Sequence, residues 1–146
     1  MIEFINQFSF SNYGFVLLLG MVIAWFVTQT SKAFFHYPKS LGELFWETGH
    51  GPSSHVAPLV ALLAMILFND GISAMFVLAI ALTGIVIRDA LGVRYATGKN
   101  AQLLKKLLKK DLQKDVVVIP GHAVKEVLLG AIFGLVVGLA FALLFL

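Results

Sequence analysis

Cysteine is absent from the 146 residues, charged side chains make up only 13%, and there are just four prolines and two tryptophans. Without a thiol, no disulfide, zinc–thiolate centre or cysteine nucleophile can form. Soluble domains carry about 25% charged residues, and a fold this small exposes too much surface to manage with half that. The scarcity of charge therefore excludes an ordinary water-soluble domain. It also excludes a disordered chain, which needs high charge and low hydrophobicity. In place of charge the sequence has 59% hydrophobic residues, before its 13 glycines are counted, and a mean hydropathy of +0.90. These values define an integral membrane protein, and the length allows one domain, residues 1–146. The formal charge of +3 then reads first as an orientation signal, with no indication of nucleic-acid binding.

The apolar runs predict an all-α, polytopic helical bundle with about four transmembrane helices, over residues 13–35, 52–68, 72–88 and 124–146. A bilayer-crossing helix needs about 20 apolar residues, so the middle two are short. The second reaches a fuller length by starting at Pro52, since proline suits a first helical position, and Pro58 would then kink its interior. Asn69-Asp70-Gly71 reads as a turn. Residues 92–121 form a polar, basic loop. Within it, Leu103, Leu104, Leu107 and Leu108 fall at helical spacing opposite lysines, which predicts a basic amphipathic helix over 103–114 lying at the interface. Residues 1–12, the 69–71 turn and the carboxyl terminus hold no lysine or arginine, and all 11 lie on the other side. The positive-inside rule places that side in the cytoplasm, as expected for a protein of a bacterial plasma membrane. Gly130, Gly134 and Gly138 form a small-residue stripe on the last span, suited to packing within one protomer or to a homo-oligomer.

Ionisable residues beside membrane spans are costly, and they mark candidate sites. Here they gather. Lys32 ends the first span, Pro52-Ser53-Ser54-His55 opens the second, Arg88, Asp89 and Arg94 end the third, and His122 and Glu126 open the fourth. Alternating topology puts all four groups on one membrane face. Their chemistry suits phosphate: arginine grips phosphate oxygens through paired hydrogen bonds, and a glycine-rich helix start offers backbone N–H groups to an anion. Two histidines supply a nucleophile and an acid that titrate near neutral pH. His122 and Glu126 are four apart and share a helix face, so the carboxylate can hold one imidazole nitrogen and leave the other free to attack. No fixed ligand spacing marks a metal site, and no cofactor is indicated.

At these residues the chain resembles the divergent branch of the type 2 phosphatidic acid phosphatase superfamily, also described as acid phosphatase/vanadium-dependent haloperoxidase-related. The matching pieces are Gln29-Thr30-Ser31-Lys32, Thr48-Gly49-His50-Gly51-Pro52-Ser53-Ser54-His55, Asp89-Ala90-Leu91-Gly92-Val93-Arg94 and Gly121-His122-Ala123-Val124-Lys125-Glu126-Val127. The resemblance implies that Lys32 and Arg94 bind phosphate, Ser53 and Ser54 hold its oxygens, His55 protonates the leaving oxygen, His122 attacks phosphorus and Glu126 orients it, with no metal. Some positions depart from the superfamily pattern. Lys39 and Ser40 stand where K-x6-R-P has arginine and proline, and Val116 stands where an arginine precedes the nucleophile. The cation must then come from Arg88 or Arg94. Glu126 replaces the usual aspartate. Asp89 and His50, the latter at a position commonly glycine, are possible supporting residues.

The resulting expectation is a membrane lipid phosphatase that hydrolyses a phosphate monoester or pyrophosphate of a phospholipid or polyprenyl lipid through a phosphohistidine. The alternative is a non-catalytic protein that binds or transports lipid phosphates with the same cations.

Overall fold

The computed structural model describes residues 2–35, 42, 51–109, 112–118 and 121–146, with only the backbone described for residues 2–11 and Phe35. Every regular element in these residues is helical: α1 (Ile2–Phe35), α2 (Val56–Asp70), α3 (Ala74–Arg88), a π-helical turn (Asp89–Val93), α4 (Arg94–Leu107), a 3₁₀ turn (Leu112–Asp115) and α5 (Val124–Phe145). In hydrocarbon no water is available to the backbone, so a helix that satisfies its own N–H and C=O groups is the solution open to each apolar run. The hydroxyls of α1 follow the same rule. Thr28 donates to the Ala24 carbonyl at 2.6 Å, Thr30 to Phe26 at 2.8 Å and Ser31 to Thr28 at 2.7 Å. The polar run before Lys32 can thus stay helical at the membrane edge.

Three helical stretches are long and apolar enough to cross a membrane: Asn12–Phe34, Ala74–Leu107 and Val124–Phe145. α2 has 15 residues and rises only about 22 Å, short of the roughly 30 Å hydrocarbon thickness. It occupies the centre, packed on α1, α3 and most extensively α5, so its short length is covered by protein. Val56, Ala57, Ala61, Ala64, Met65 and Ile66 are its buried residues. Pro58 falls in its first turn, where a backbone N–H has no intrahelical partner to lose, so the expected kink does not arise. Pro52, Ser53 and Ser54 are buried but not helical, which corrects the expected start at Pro52. The Ser53 N–H is taken by the Glu126 carbonyl at 2.9 Å, which holds this segment as a strap against α5.

The turn between α2 and α3 falls where Asn69-Asp70-Gly71 predicts it. Gly71 adopts φ +65°, a region that favours glycine. Ser73 caps α3 by accepting the Phe76 N–H at 3.2 Å, so the helix starts at Ala74 and not at Ile72. At this end of the bundle the Tyr13 hydroxyl donates to Asp70 at 2.6 Å, tying α1 to α2.

The glycine stripe faces α2 of the same chain. A Cβ on Gly130 would meet the Ser53 carbonyl oxygen at 2.5 Å, one on Gly138 would meet that of Ala61 at 2.6 Å, and one on Gly134 would strike the Ala57 carbonyl. The obstacles are backbone atoms, which cannot swing aside. Gly134→Leu should therefore push α5 off α2 and destabilise the protein by about 1–3 kcal/mol or more. Thermal unfolding in detergent measures this, and an unchanged transition would contradict the close α2–α5 contact.

The basic segment departs most from expectation. α4 is not a separate element over 103–114. It continues the third span without a break, begins at Arg94 and ends at Leu107, and the 3₁₀ turn takes up residues 112–115.

Candidate functional site: a histidine–cation cluster at one end of the bundle

Four chain segments meet where α1 and α3 end and α2 and α5 begin. Beneath them lies a small apolar floor of Val56, Ala90 and Val127. Each floor residue is the immediate neighbour of a candidate polar one, His55, Asp89 and Glu126 respectively. Burial of three apolar side chains thereby fixes three polar ones at the rim.

Lys32 projects from the last turn of α1 and is only 6% exposed. Its stem lies against Gly51, where an added Cβ would sit 3.1 Å from the lysine Cγ. Its Nζ donates to Ser54 Oγ at 3.2 Å. Ser53 is fully buried, and its Oγ has no hydrogen-bond partner among the described residues.

His122 is 3% exposed. Its Nδ1 lies 3.4 Å from Glu126 Oε2, too long for a well-made hydrogen bond, and neither ring nitrogen has a hydrogen-bond partner among the described residues. The same Glu126 oxygen accepts the Ala123 N–H at 2.8 Å. Ala123 has no side-chain acceptor to return the bond, so the carboxylate both caps α5 and faces the imidazole. Burial lowers the His122 pKa below the usual histidine value; Glu126 opposes that shift, and the charge of Lys32 adds to it. Part of His55 reaches solvent, yet partial burial lowers its pKa too. The charges of Arg94 and Lys32 push the same way, and Asp89 opposes them. Both rings are therefore neutral at pH 7.

Arg94 enters through the π turn. Its backbone N–H bonds to the Asp89 carbonyl, and its Nε donates to Asp89 Oδ2 at 2.6 Å. In a plain α-helix, residues five apart would point about 140° from one another; the wider π turn brings them to one face. π turns are rare and recur at functional sites. The pair is half exposed, which makes it weak as a source of stability. Its effect is to hold the guanidinium, with the terminal nitrogens unengaged among the described residues. Gly121 closes the arrangement: a Cβ there would overlap the Tyr95 backbone and lie 2.7 Å from the Arg94 carbonyl carbon.

The structure thus brings together Lys32, Ser53, Ser54, His55, Asp89, Arg94, His122 and Glu126. Arg88 is exposed and is not among the charges that act on either histidine, so of the two arginines it is Arg94 that faces the cluster. His50 lies outside the described residues. Sequence reasoning gave no role to Gly121, whose only signal was its place before His122, or to buried Thr28 and Gln29. Among the described residues, no three His, Asp or Glu side chains form a group able to hold a metal ion.

The fold and the cluster together define an all-helical membrane protein with a histidine–cation site at one end of its bundle. The chain belongs to the Divergent PAP2 family, whose model matches residues 13–137. It is similar to the "Uncharacterized membrane protein YuiD" of Bacillus subtilis (strain 168), with 27% identity over 92% of this chain and 97% of the relative. No solved structure matches it.

Proposed function

We propose that the protein is a lipid phosphatase that hydrolyses a phosphate monoester or pyrophosphate of a phospholipid or polyprenyl lipid. The observation that carries this reading is His122: a buried imidazole with neither nitrogen hydrogen-bonded among the described residues, Nδ1 turned to a carboxylate, in the same cluster as a buried lysine and a buried serine hydroxyl. Glu126 keeps the proton on Nδ1, so Nε2 carries the lone pair. Nε2 attacks phosphorus, an N–P bond forms, and the P–O bond to the lipid breaks. His55 gives a proton to the departing oxygen. Water, deprotonated by His55, then attacks the phosphohistidine and releases inorganic phosphate. Lys32, Arg94 and the serines stabilise charge spread over the phosphoryl oxygens, the main task in phosphoryl transfer, and the chemistry needs no metal. The one-sided distribution of lysine and arginine supports a cytoplasmic site in a bacterial plasma membrane.

Trapping tests the reading. Purified protein in detergent micelles, given lipid labelled in its phosphate with ³²P and quenched in alkali, should retain label that acid then removes, the signature of phosphohistidine. No label and no phosphate release, with or without divalent metal, would favour the binding or transport alternative.

A second test uses sulfate, which stays a dianion near neutral pH. The histidines are neutral in the free site because their pKa values are lowered, and a bound dianion raises them. Sulfate binding should therefore take up protons and tighten as pH falls from 7 toward 6. Titration calorimetry in two buffers of different ionisation enthalpy reads the uptake. Binding without proton uptake would place the anion away from both rings.

A further inference from the structure

Position 121 calls for glycine by contact and not by conformation. Gly71 is the glycine with a positive φ among the described residues, so alanine could adopt the backbone found at Gly121. A methyl group there would meet another main chain: it would strike the Tyr95 nitrogen and lie 2.5 Å from the Tyr95 Cα and 2.7 Å from the Arg94 carbonyl carbon. Backbone atoms cannot swing aside as the end of a side chain can. Two stretches far apart in sequence thus touch main chain to main chain. One is the junction of the π turn with α4, at Arg94. The other leads through His122 into α5. Each polar group is tied within its own stretch: Arg94 Nε donates to Asp89, and the Ala123 N–H donates to Glu126. Neither bond crosses between the stretches. The apolar floor joins them beneath, through Ala90 of the turn and Val127 of α5. A single joint would leave the turn free to pivot, and the contact at Gly121 is a second joint on the side of Arg94.

We propose that Gly121 is a positioning residue: by letting two backbones touch, it sets how close Arg94 stands to the histidines. What that spacing does for catalysis rests on the proposed function. With alanine at position 121, one stretch has to yield. The stretch before α5 is anchored by the buried His122 ring and by the Ala123–Glu126 bond, and α5 itself packs on α1 and α2. α4 packs mainly on the π turn, so the Arg94 side is the one that moves. The guanidinium then draws back from His55 and from an anion held between them. A misplacement of about 1 Å can cost about 10²-fold in rate, so a residue without a side chain can govern the chemistry here.

Two measurements on the purified protein in micelles test the assignment. The first is an NMR titration of the imidazoles, with the His55 signal identified by its loss in His55→Gln. Burial lowers the His55 pKa, the charges of Arg94 and Lys32 add to the shift, and Asp89 opposes it. Gly121→Ala should therefore move the titration upward, toward its position in Arg94→Gln. Gly84→Ala is the control, since a methyl group there meets open space, and it should leave the titration in place. The second measurement is sulfate affinity by calorimetry. Gly121→Ala should weaken it about tenfold, the loss of one hydrogen bond to a charged group. With Arg94→Gln already present it should cost less than about twofold, because both changes then remove the same interaction. An unmoved His55 titration, or an equal loss of sulfate binding in both backgrounds, overturns the assignment. So does a Gly121→Ala variant that no longer folds, which would make the contact a support of the whole bundle. The titration needs neither anion nor turnover. If the parent protein binds no sulfate while Gly121→Ala still moves His55, the positioning role stands and the phosphate reading falls.

Discussion

His122→Ala should lower phosphate release from a short-chain lipid phosphate by about 10⁴-fold or more, as removal of a nucleophile does elsewhere. The ring is buried and its nitrogens make no hydrogen bond among the described residues, so the change should leave the fold intact and abolish the phosphoenzyme. Glu126→Gln should slow the reaction without ending it. An amide oxygen can still accept the Ala123 N–H, but it does not stabilise an imidazolium as a carboxylate does. If activity survives His122→Ala, the nucleophile is misassigned, and Asp89, the carboxylate on the π turn, is the next group to replace.

The second large effect depends on the leaving group. His55→Ala should cost about 10²–10⁴-fold with an alkyl phosphate, the usual contribution of a general acid, and much less with an activated aryl phosphate whose oxygen leaves unaided. His55 is partly exposed and neutral in the free site, so its acidity has to come from the bound dianion. A rate plotted against leaving-group pKa should therefore be steeper for the variant than for the parent. Parallel lines would remove His55 from the proton transfer.

Much of this architecture can be read from the sequence, for a physical reason. Long apolar runs have one solution in a bilayer, so α5 falls close to its expected limits and α1 ends where expected, although it is already helical from Ile2, eleven residues before the expected start of the span. The convergence of Lys32, His55, Arg94 and His122 follows from alternating topology alone. What the sequence misplaces depends on tertiary contacts. The strap before α2 is non-helical because the Ser53 N–H goes to Glu126, more than seventy residues away, and no local rule sees that bond. The sequence leaves Arg88 and Arg94 as equals because a helix with 3.6 residues per turn does not separate their roles. The π turn does. The glycine stripe left two packings open, and the backbone of α2 lies against it within this chain.

The π turn also gives the long helix of residues 74–107 a change of phase. Each α-helical residue advances the chain by about 100°, so a deletion of one residue within Asp89–Val93 that restored plain α-helix would act as a rotation more than as a shortening. Everything beyond it would swing by that angle, and Arg94 would leave the histidines. The membrane-facing half of the helix would be untouched. The turn works as an angular coupling between a shaft packed in the bundle and a polar tool mounted on its end, and the length of these five residues sets where that tool points.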